Sequence, residues 1–300
     1  FAENSEFIRE CEKNKITFIG PSSNSVGLMG SKTEARKLMS KNNVPIVPGT
    51  TESIKSVKEC LKISEEIGYP VLLKAAAGGG GKGMRKIISE NEFESAFEAT
   101  KREALKAFAD DDIYIEKFID NPRHIEIQIF GDTHENYVHL FERECSIQRR
   151  HQKIIEEAPS SFVDKLTREK ITLAAVNAAK ACNYFNAGTV EFLMDSKKNF
   201  YFLEMNTRLQ VEHPVTELIT GLDLVKEQIS VASGNKLSFK QDDLKINGHA
   251  LECRIYAEDS FNNFLPSTGP ILSYSPPSGP GVRVDSGFDN GSQITVHYDP

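Results

Sequence analysis

Residues 71–87 read VLLKAAAGGGGKGMRKI. The VLLK run (71–74) and the MRKII run (84–88) have strand character, and Gly78 to Gly81 with Lys82 and Gly83 make a loop between them almost free of side-chain obstruction. Successive N–H groups on such a backbone can close on phosphate oxygens, and Lys74 at the end of the first strand can add a fixed positive charge. Taken alone, the run is also compatible with a plain surface hairpin. Gly78, Gly80 and Gly83 spell G-x-G-x-x-G, but a dinucleotide turn has to open a helix so that the dipole meets the pyrophosphate, and this run joins two strands. A P-loop needs Ser or Thr after its Lys, whereas Gly83 follows Lys82; no H-R-D or D-F-G of a protein kinase occurs. The loop suits a nucleotide on neither of the common nucleotide folds.

Working outward, the loop sits in a compact α/β unit. A helix over 56–68 ends at Gly68, a second runs from about 92 to 108, and IYIEKFI (113–119) supplies another strand. Upstream, residues 5–14 and 32–42 have helical spacing, and ITFIGP (16–21) reads as a strand entering a turn. Downstream come the strands RHIEIQIF and NYVHLFE, a helix near 166–182, strands at 189–194 and 200–209 around a DSKKN turn, and helices to about 232. ALECRIYAED and the Gly/Pro turns beyond it suggest a further β-rich part. The expected class is α/β (α+β). The expected divisions are 1–47, the end of an earlier α/β lobe; 48–118, a small lid lobe; 119–235, a larger lobe; and 236–300, the start of a β-rich subdomain.

Three hundred residues exceed what one core usually serves, which supports several lobes. No apolar run approaches the roughly 18 residues needed to cross a bilayer, so a membrane span is not expected. A net charge of -7 argues against nucleic acid and anionic membranes as partners. Five scattered cysteines without a C-x-x-C pair favour free thiols in a reducing compartment. The chain opens on Phe1 and stops just after a strand-like ITVHY, and so reads as a fragment of a longer protein.

Polar rows mark a candidate site. In FYFLEMNTRLQ, strict alternation would send Glu204, Asn206, Arg208 and Gln210 to one face, with Glu212 and His213 next in line. Such groups in file cost desolvation unless they bind one another, an ion or a ligand. Glu191 stands among apolar neighbours in GTVEFLMD, and with Glu204 makes a plausible magnesium pair, since Mg²⁺ takes a few carboxylate oxygens plus phosphate oxygens. An internal salt bridge is the alternative for Glu191. His124, Glu126 and Gln128 alternate with isoleucines, Glu252 and Arg254 with apolar residues, and QRRHQK (148–153) concentrates basic groups. Together the rows describe an anion pocket near a metal.

Three segments carry a resemblance: KAAAGGGGKGMR (74–85), EKFIDNPRHIEIQIFGD with ERECSIQRRHQK (116–132 and 142–153), and FYFLEMNTRLQVEHPVTE (200–217). The sequence resembles the ATP-grasp fold and, within it, the biotin carboxylase component of biotin-dependent carboxylases; its wording is most similar to propionyl-CoA and methylcrotonyl-CoA type alpha subunits. The resemblance implies ATP between a lid and a larger lobe, with Lys32 and Lys74 on the phosphates, Gly80 and Gly81 over them, and Glu116, Lys117, Phe118 and Ile119 along the adenine. His124, Gln148 and His151 match further nucleotide positions, and Glu191, Glu204 and Asn206 match the Mg²⁺ or Mn²⁺ ligands. Lys153, Arg208, Gln210 and Val211 match the bicarbonate site, Glu212 the general base, and Arg254 the group that steadies the biotin enolate. No A-M-K-M type biotinylation sequence occurs, so biotin is expected on a carrier domain, with a carboxyltransferase as further partner, an oligomeric assembly, and a mitochondrial matrix or bacterial cytoplasmic location. Another ATP-grasp ligase of carbamoyl phosphate synthetase type, or a non-catalytic nucleotide-binding subunit, are the alternatives.

Overall fold

The computed structural model describes residues 1–76 and 83–295, so the expectation for Gly80 and Gly81 lies outside the described residues. The chain divides into two units, Phe1–Cys253 and Arg254–Pro300.

The first unit opens with three helices, α1 (Ser5–Lys13), α2 (Ser23–Gly30) and α3 (Lys32–Lys41). Asn4, Ser22 and Ser31 cap them by accepting the N–H three residues on. The strand expected at 16–21 does not form: the segment pairs with no described strand, and Ile16 and Ile19 lie exposed. Without a neighbouring ladder, an apolar alternation has nothing to hold it extended.

The segment expected as a lid follows as α4 (Val57–Ile67), β1 (Val71–Ala75), β2 (Met84–Ile87), α5 (Phe93–Phe108) and β3 (Ile113–Lys117). Ser56 caps α4, and Gly68 ends it at φ 75, a conformation in which glycine has no Cβ to clash. The strands pair antiparallel in the order β2-β1-β3. Val71, Leu73, Ile113 and Ile115 point from them into a core shared with Cys60, Phe93 and Phe97 of the two helices. Gly49 approaches the backbone of β3 so closely that a Cβ there would lie 2.3 Å from the Ile115 carbonyl oxygen and 2.6 Å from Glu116 Cα. Gly49→Ala is therefore expected to push the connecting segment off the lid and cost about 1–3 kcal/mol. A thermal melt with an unchanged midpoint would show that the contact yields freely.

The larger lobe is built on one antiparallel sheet in the order β8-β7-β4-β5-β6-β9. Its strands are β4 (Arg123–Gly131), β5 (Tyr137–Arg149), β6 (Gln152–Ala158), β7 (Asn186–Met194), β8 (Phe200–Asn206) and β9 (Ala250–Cys253). Helices α6 (Lys165–Ala181), α7 (His213–Thr220) and α8 (Leu224–Ala232) complete it. On one face Ile125, Ile127, Ile129, Val190 and Phe192 meet Ile171 and the alanines of α6, whose small side chains admit the helix against the sheet. Alternation therefore turns Glu126, Gln128, Arg143, Thr189 and Glu191 to the opposite face.

Two local departures matter. The polar row of 204–210 is not one strand face, because a bulge separates the Glu191↔Glu204 and Phe192↔Phe202 pairs and β8 stops at Asn206. The Thr207 N–H goes to the Glu3 carboxylate at 3.3 Å rather than to a ladder partner. QRRHQK is a two-residue hairpin whose tip, Arg150 and His151, takes positive φ at both positions, as a type I′ turn requires. That turn sets Gln148 opposite Lys153 and leaves His151 exposed at the tip.

In the second unit, β10 (Glu258–Asp259) pairs with β11 (Leu265–Pro266), and β12 (Gly269–Pro270) with β13 (Gln293–Ile294). All five cysteines are free. Among the described residues no helix is long and apolar enough to cross a membrane.

Candidate active site

Glu126 on β4 and Glu191 on β7 are direct cross-strand partners, and Glu204 on β8 faces Glu191 in turn. Like charges so placed repel unless cations neutralise them. Lys153, entering from the hairpin, does so: its Nζ donates to Glu191 Oε1 at 2.9 Å, to Glu212 Oε1 at 2.6 Å, and to Glu126 Oε2. An ammonium has three protons, and these carboxylates take one each. Burial works against the charge on Lys153, but the charges of Glu126, Glu191 and Glu212 outweigh it and hold its pKa well above the ordinary lysine value. Glu126 is held down to about 2, because Arg143 and Lys153 overcome the cost of its burial. Glu191 is likewise depressed, by His124 and Lys153 against its burial.

Glu191 is the most heavily used group. His124 Nε2 meets its Oε2 at 2.7 Å; Asn206 Nδ2 and Gln210 Nε2 donate to its Oε1 at 2.7 and 3.1 Å. With its proton on Nε2, His124 donates to Glu191 and its Nδ1 accepts from Gln148 Nε2 at 3.2 Å. Burial opposes charging of that ring, yet Glu191 tips the balance and raises its pKa. Glu204 behaves oppositely: desolvation first, and then the charge on Glu191, push its carboxyl up. Glu191 and Glu204, cross-strand neighbours, with an amide oxygen nearby on Asn206, offer the hard oxygen donors that suit Mg²⁺ or Mn²⁺. His124, Glu126 and Glu191 also converge closely enough to ligate a metal, and in this structure their atoms pair with Lys153, Arg143 and one another.

Glu212 stands at the N-cap of α7, 2% exposed, beside Lys153. Gln210 is buried two residues before it, while Val211 is 59% exposed. Arg208 is half-exposed, and its Nε donates to Glu3 Oε2 at 3.0 Å. Gln210 and Glu212 thus reach the cluster from a loop and a helix start rather than from one strand face, and the described contacts of Arg208 run to Glu3 and the Leu209 carbonyl instead.

Toward the lid, Lys74 Nζ donates to Glu116 Oε1 at 2.7 Å and Arg36 Nη1 to its Oε2 at 3.2 Å, all three buried. Lys117 Nζ donates to the Gly68 and Tyr69 carbonyls at 3.0 and 2.8 Å, and the N–H groups of Lys117 and Phe118 go to Pro48 and Pro70. The Glu116 and Lys117 side chains are therefore committed to Arg36, Lys74 and the Gly68 and Tyr69 carbonyls. Lys32, at the start of α3, has its pKa lowered by desolvation and by the charge of Lys74, against Glu204 and Glu116. Arg254 opens the second unit.

Arg143 is the chief residue that the sequence reading missed. It is fully buried at the centre of the sheet and donates to five side chains. The signal was there in the run Glu142-Arg143-Glu144, which puts charge on both faces of a central strand. Glu142 and Glu144 face the other way, to Arg168 and to Arg123 and Ser160.

Residues 31–240 match the family model described as the carbamoyl-phosphate synthase L chain, ATP binding domain, and residues 252–300 match the biotin carboxylase C-terminal domain. All of the chain aligns at 54% identity with the mitochondrial methylcrotonoyl-CoA carboxylase subunit alpha of Rattus norvegicus, covering 42% of that protein. It aligns, again over its whole length and at 54%, with biotin carboxylase 2 of Bacillus subtilis, covering 67% of it. The biotin carboxylase domain dimer of Hydrogenobacter thermophilus 2-oxoglutarate carboxylase, solved with MgADP, ADP and bicarbonate, superposes with a TM-score of 0.93 at 50% identity, over 99% of this chain and 66% of that one. The chain thus spans about two fifths of the alpha-subunit relative.

Proposed function

The chain belongs to the biotin carboxylase family, and from that premise we propose that it carboxylates carrier-linked biotin at the expense of ATP and bicarbonate. The observation that carries this reading is Lys153, whose one ammonium touches both the candidate base Glu212 and the candidate metal ligand Glu191. An anion that enters between these groups would meet a cation and a base together.

Bicarbonate is a weak nucleophile until it loses its proton. Glu212 takes that proton, while Lys153, Arg208, the Gln210 amide and Val211 hold the anion. The freed oxygen attacks the γ-phosphorus of ATP, the bond to ADP breaks, and carboxyphosphate forms. Lys32 and Lys74 neutralise phosphate charge as it spreads, with Gly80 and Gly81 closing from the lid. Glu191 and Glu204, with Asn206, would hold a divalent ion, which would supply positive charge against the phosphates. His124, Gln148 and His151 complete the nucleotide side. Carboxyphosphate parts into CO₂ and phosphate, the phosphate takes the N1 proton of biotin, and the biotin nitrogen attacks CO₂. The assignment of Arg254 to the biotin enolate rests on the family resemblance.

The fourfold division into 1–47, 48–118, 119–235 and 236–300 belongs to the same proposal, with 48–118 as the lid. So do a biotin carrier domain and a carboxyltransferase as partners, assembly with a second copy, a matrix or bacterial cytoplasmic location, and a propionyl-CoA or methylcrotonyl-CoA type of parent enzyme. The test is ADP release by the full chain with Mg²⁺, with and without bicarbonate and free biotin. Release that requires bicarbonate and rises with biotin is expected; nucleotide binding without it would shift the assignment to another ligase of this fold. Glu191→Gln is expected to raise the Mg²⁺ concentration at half-maximal ADP release on the order of tenfold or more. An unchanged Mg²⁺ curve would remove Glu191 from the metal.

A further inference from the structure

We propose that Arg143 is a positioning residue for the bicarbonate end of this site, orienting the Gln210 amide and holding Glu126 as a lasting counter-ion for Lys153. The inference rests on the reading of the preceding section. Arg143 has 0% exposure, and its five N–H groups match five side-chain acceptors. Nε donates to Glu126 Oε1 at 2.6 Å; Nη1 donates to Gln128 Oε1 at 2.7 Å and Thr216 Oγ1 at 2.9 Å; Nη2 donates to Thr189 Oγ1 at 3.1 Å and Gln210 Oε1 at 3.0 Å. One carboxylate would neutralise a cation placed there for stability alone. Four of these acceptors are instead neutral, and they come from β4, β7, α7 and the loop that carries Gln210.

Two consequences bear on an anion. Arg143 can only donate, so the Gln210 oxygen must face it, and the Gln210 amino group is turned outward, where it meets Glu191 Oε1 at 3.1 Å. Without Arg143, only the single Glu191 contact would be left to fix which end of the Gln210 amide faces an anion. Glu126 divides its two oxygens between Arg143 and Lys153. When a metal engages Glu191 and a substrate engages Glu212, Glu126 still anchors the Lys153 ammonium. A lysine at 143 keeps the charge, but its three protons radiate from one point and cannot span five acceptors.

The experiment is steady-state ADP release by the full chain, with the KM for bicarbonate and for MgATP measured separately. Arg143→Lys is expected to raise the bicarbonate KM about tenfold, the scale of one buried polar group left unpaired, with the MgATP KM held within about twofold. A bicarbonate KM equal to the wild type, or both constants rising together, would overturn the proposal. Thr189→Val with Thr216→Val removes two acceptors without touching a charge, and decides the matter should Arg143→Lys fail to fold. That pair is expected to raise the bicarbonate KM about threefold and leave MgATP alone; no selective rise would overturn the proposal. Wild-type chain without bicarbonate-dependent ADP release would sink the functional reading itself, and this inference with it. Wild-type turnover with no separation of the two constants in the variants would sink the inference alone.

Discussion

Glu212→Gln is expected to lower bicarbonate-dependent ADP release by about 10²- to 10⁴-fold, the range associated with losing a positioned base. Glutamine has the shape of glutamate, and its oxygen still accepts from Lys153 Nζ, which lies 2.6 Å from Glu212 Oε1. The start of α7 keeps its geometry, so nucleotide binding and any slow bicarbonate-independent hydrolysis should persist. What disappears is the carboxylate assigned to accept the bicarbonate proton while Lys153 holds the anion. Initial rates at saturating bicarbonate and MgATP settle the point. Turnover close to the wild type would mean that the proton leaves by another route and that Glu212 serves only to orient Lys153.

Much of this arrangement was legible in the sequence because strand periodicity is simple. Alternation in RHIEIQIF and GTVEFLMD sends isoleucine, valine and phenylalanine to α6, and Glu126, Gln128 and Glu191 to the opposite face. It could not place Arg208 and Gln210, since a bulge and the early end of β8 break the period, and neither depends on a residue that declares itself. Arg143 escaped because its role depends on groups 15 to 73 residues distant, which only the folded sheet brings together. The Arg36–Glu116–Lys74 cluster escaped for the same reason, as it joins α3 to two strands of the lid. The strand expected at 16–21 failed in the converse way: its local pattern was suitable, but an apolar run becomes a strand only where another strand lies beside it.

Lys153→Met is expected to cost about 3–5 kcal/mol of folding stability at neutral pH, as when one partner of a buried ion pair is removed. Methionine fills a similar volume without charge, so the loss falls on the carboxylates left behind. Arg143 still pairs with Glu126, and His124 with Glu191, but Glu191 and Glu212 lose the ammonium between them. The pH dependence has a definite sign. In the wild type, Glu126 and Glu191 are depressed below the ordinary carboxylate value, so their contribution is complete above the unfolded value of about 4.3 and is lost only as pH falls through the depressed values. In the variant, Glu191 keeps its burial but loses the charge of Lys153, so its folded pKa is expected to rise relative to the wild type and more of the cost of that burial goes uncompensated. The penalty is then largest at neutral pH and is relieved as pH falls and one carboxyl takes up a proton. Urea unfolding of both proteins at pH 8 and pH 5 should therefore show a gap that narrows in acid. A gap of the same size at both pH values would mean that lost packing, and not uncompensated charge, accounts for the destabilisation.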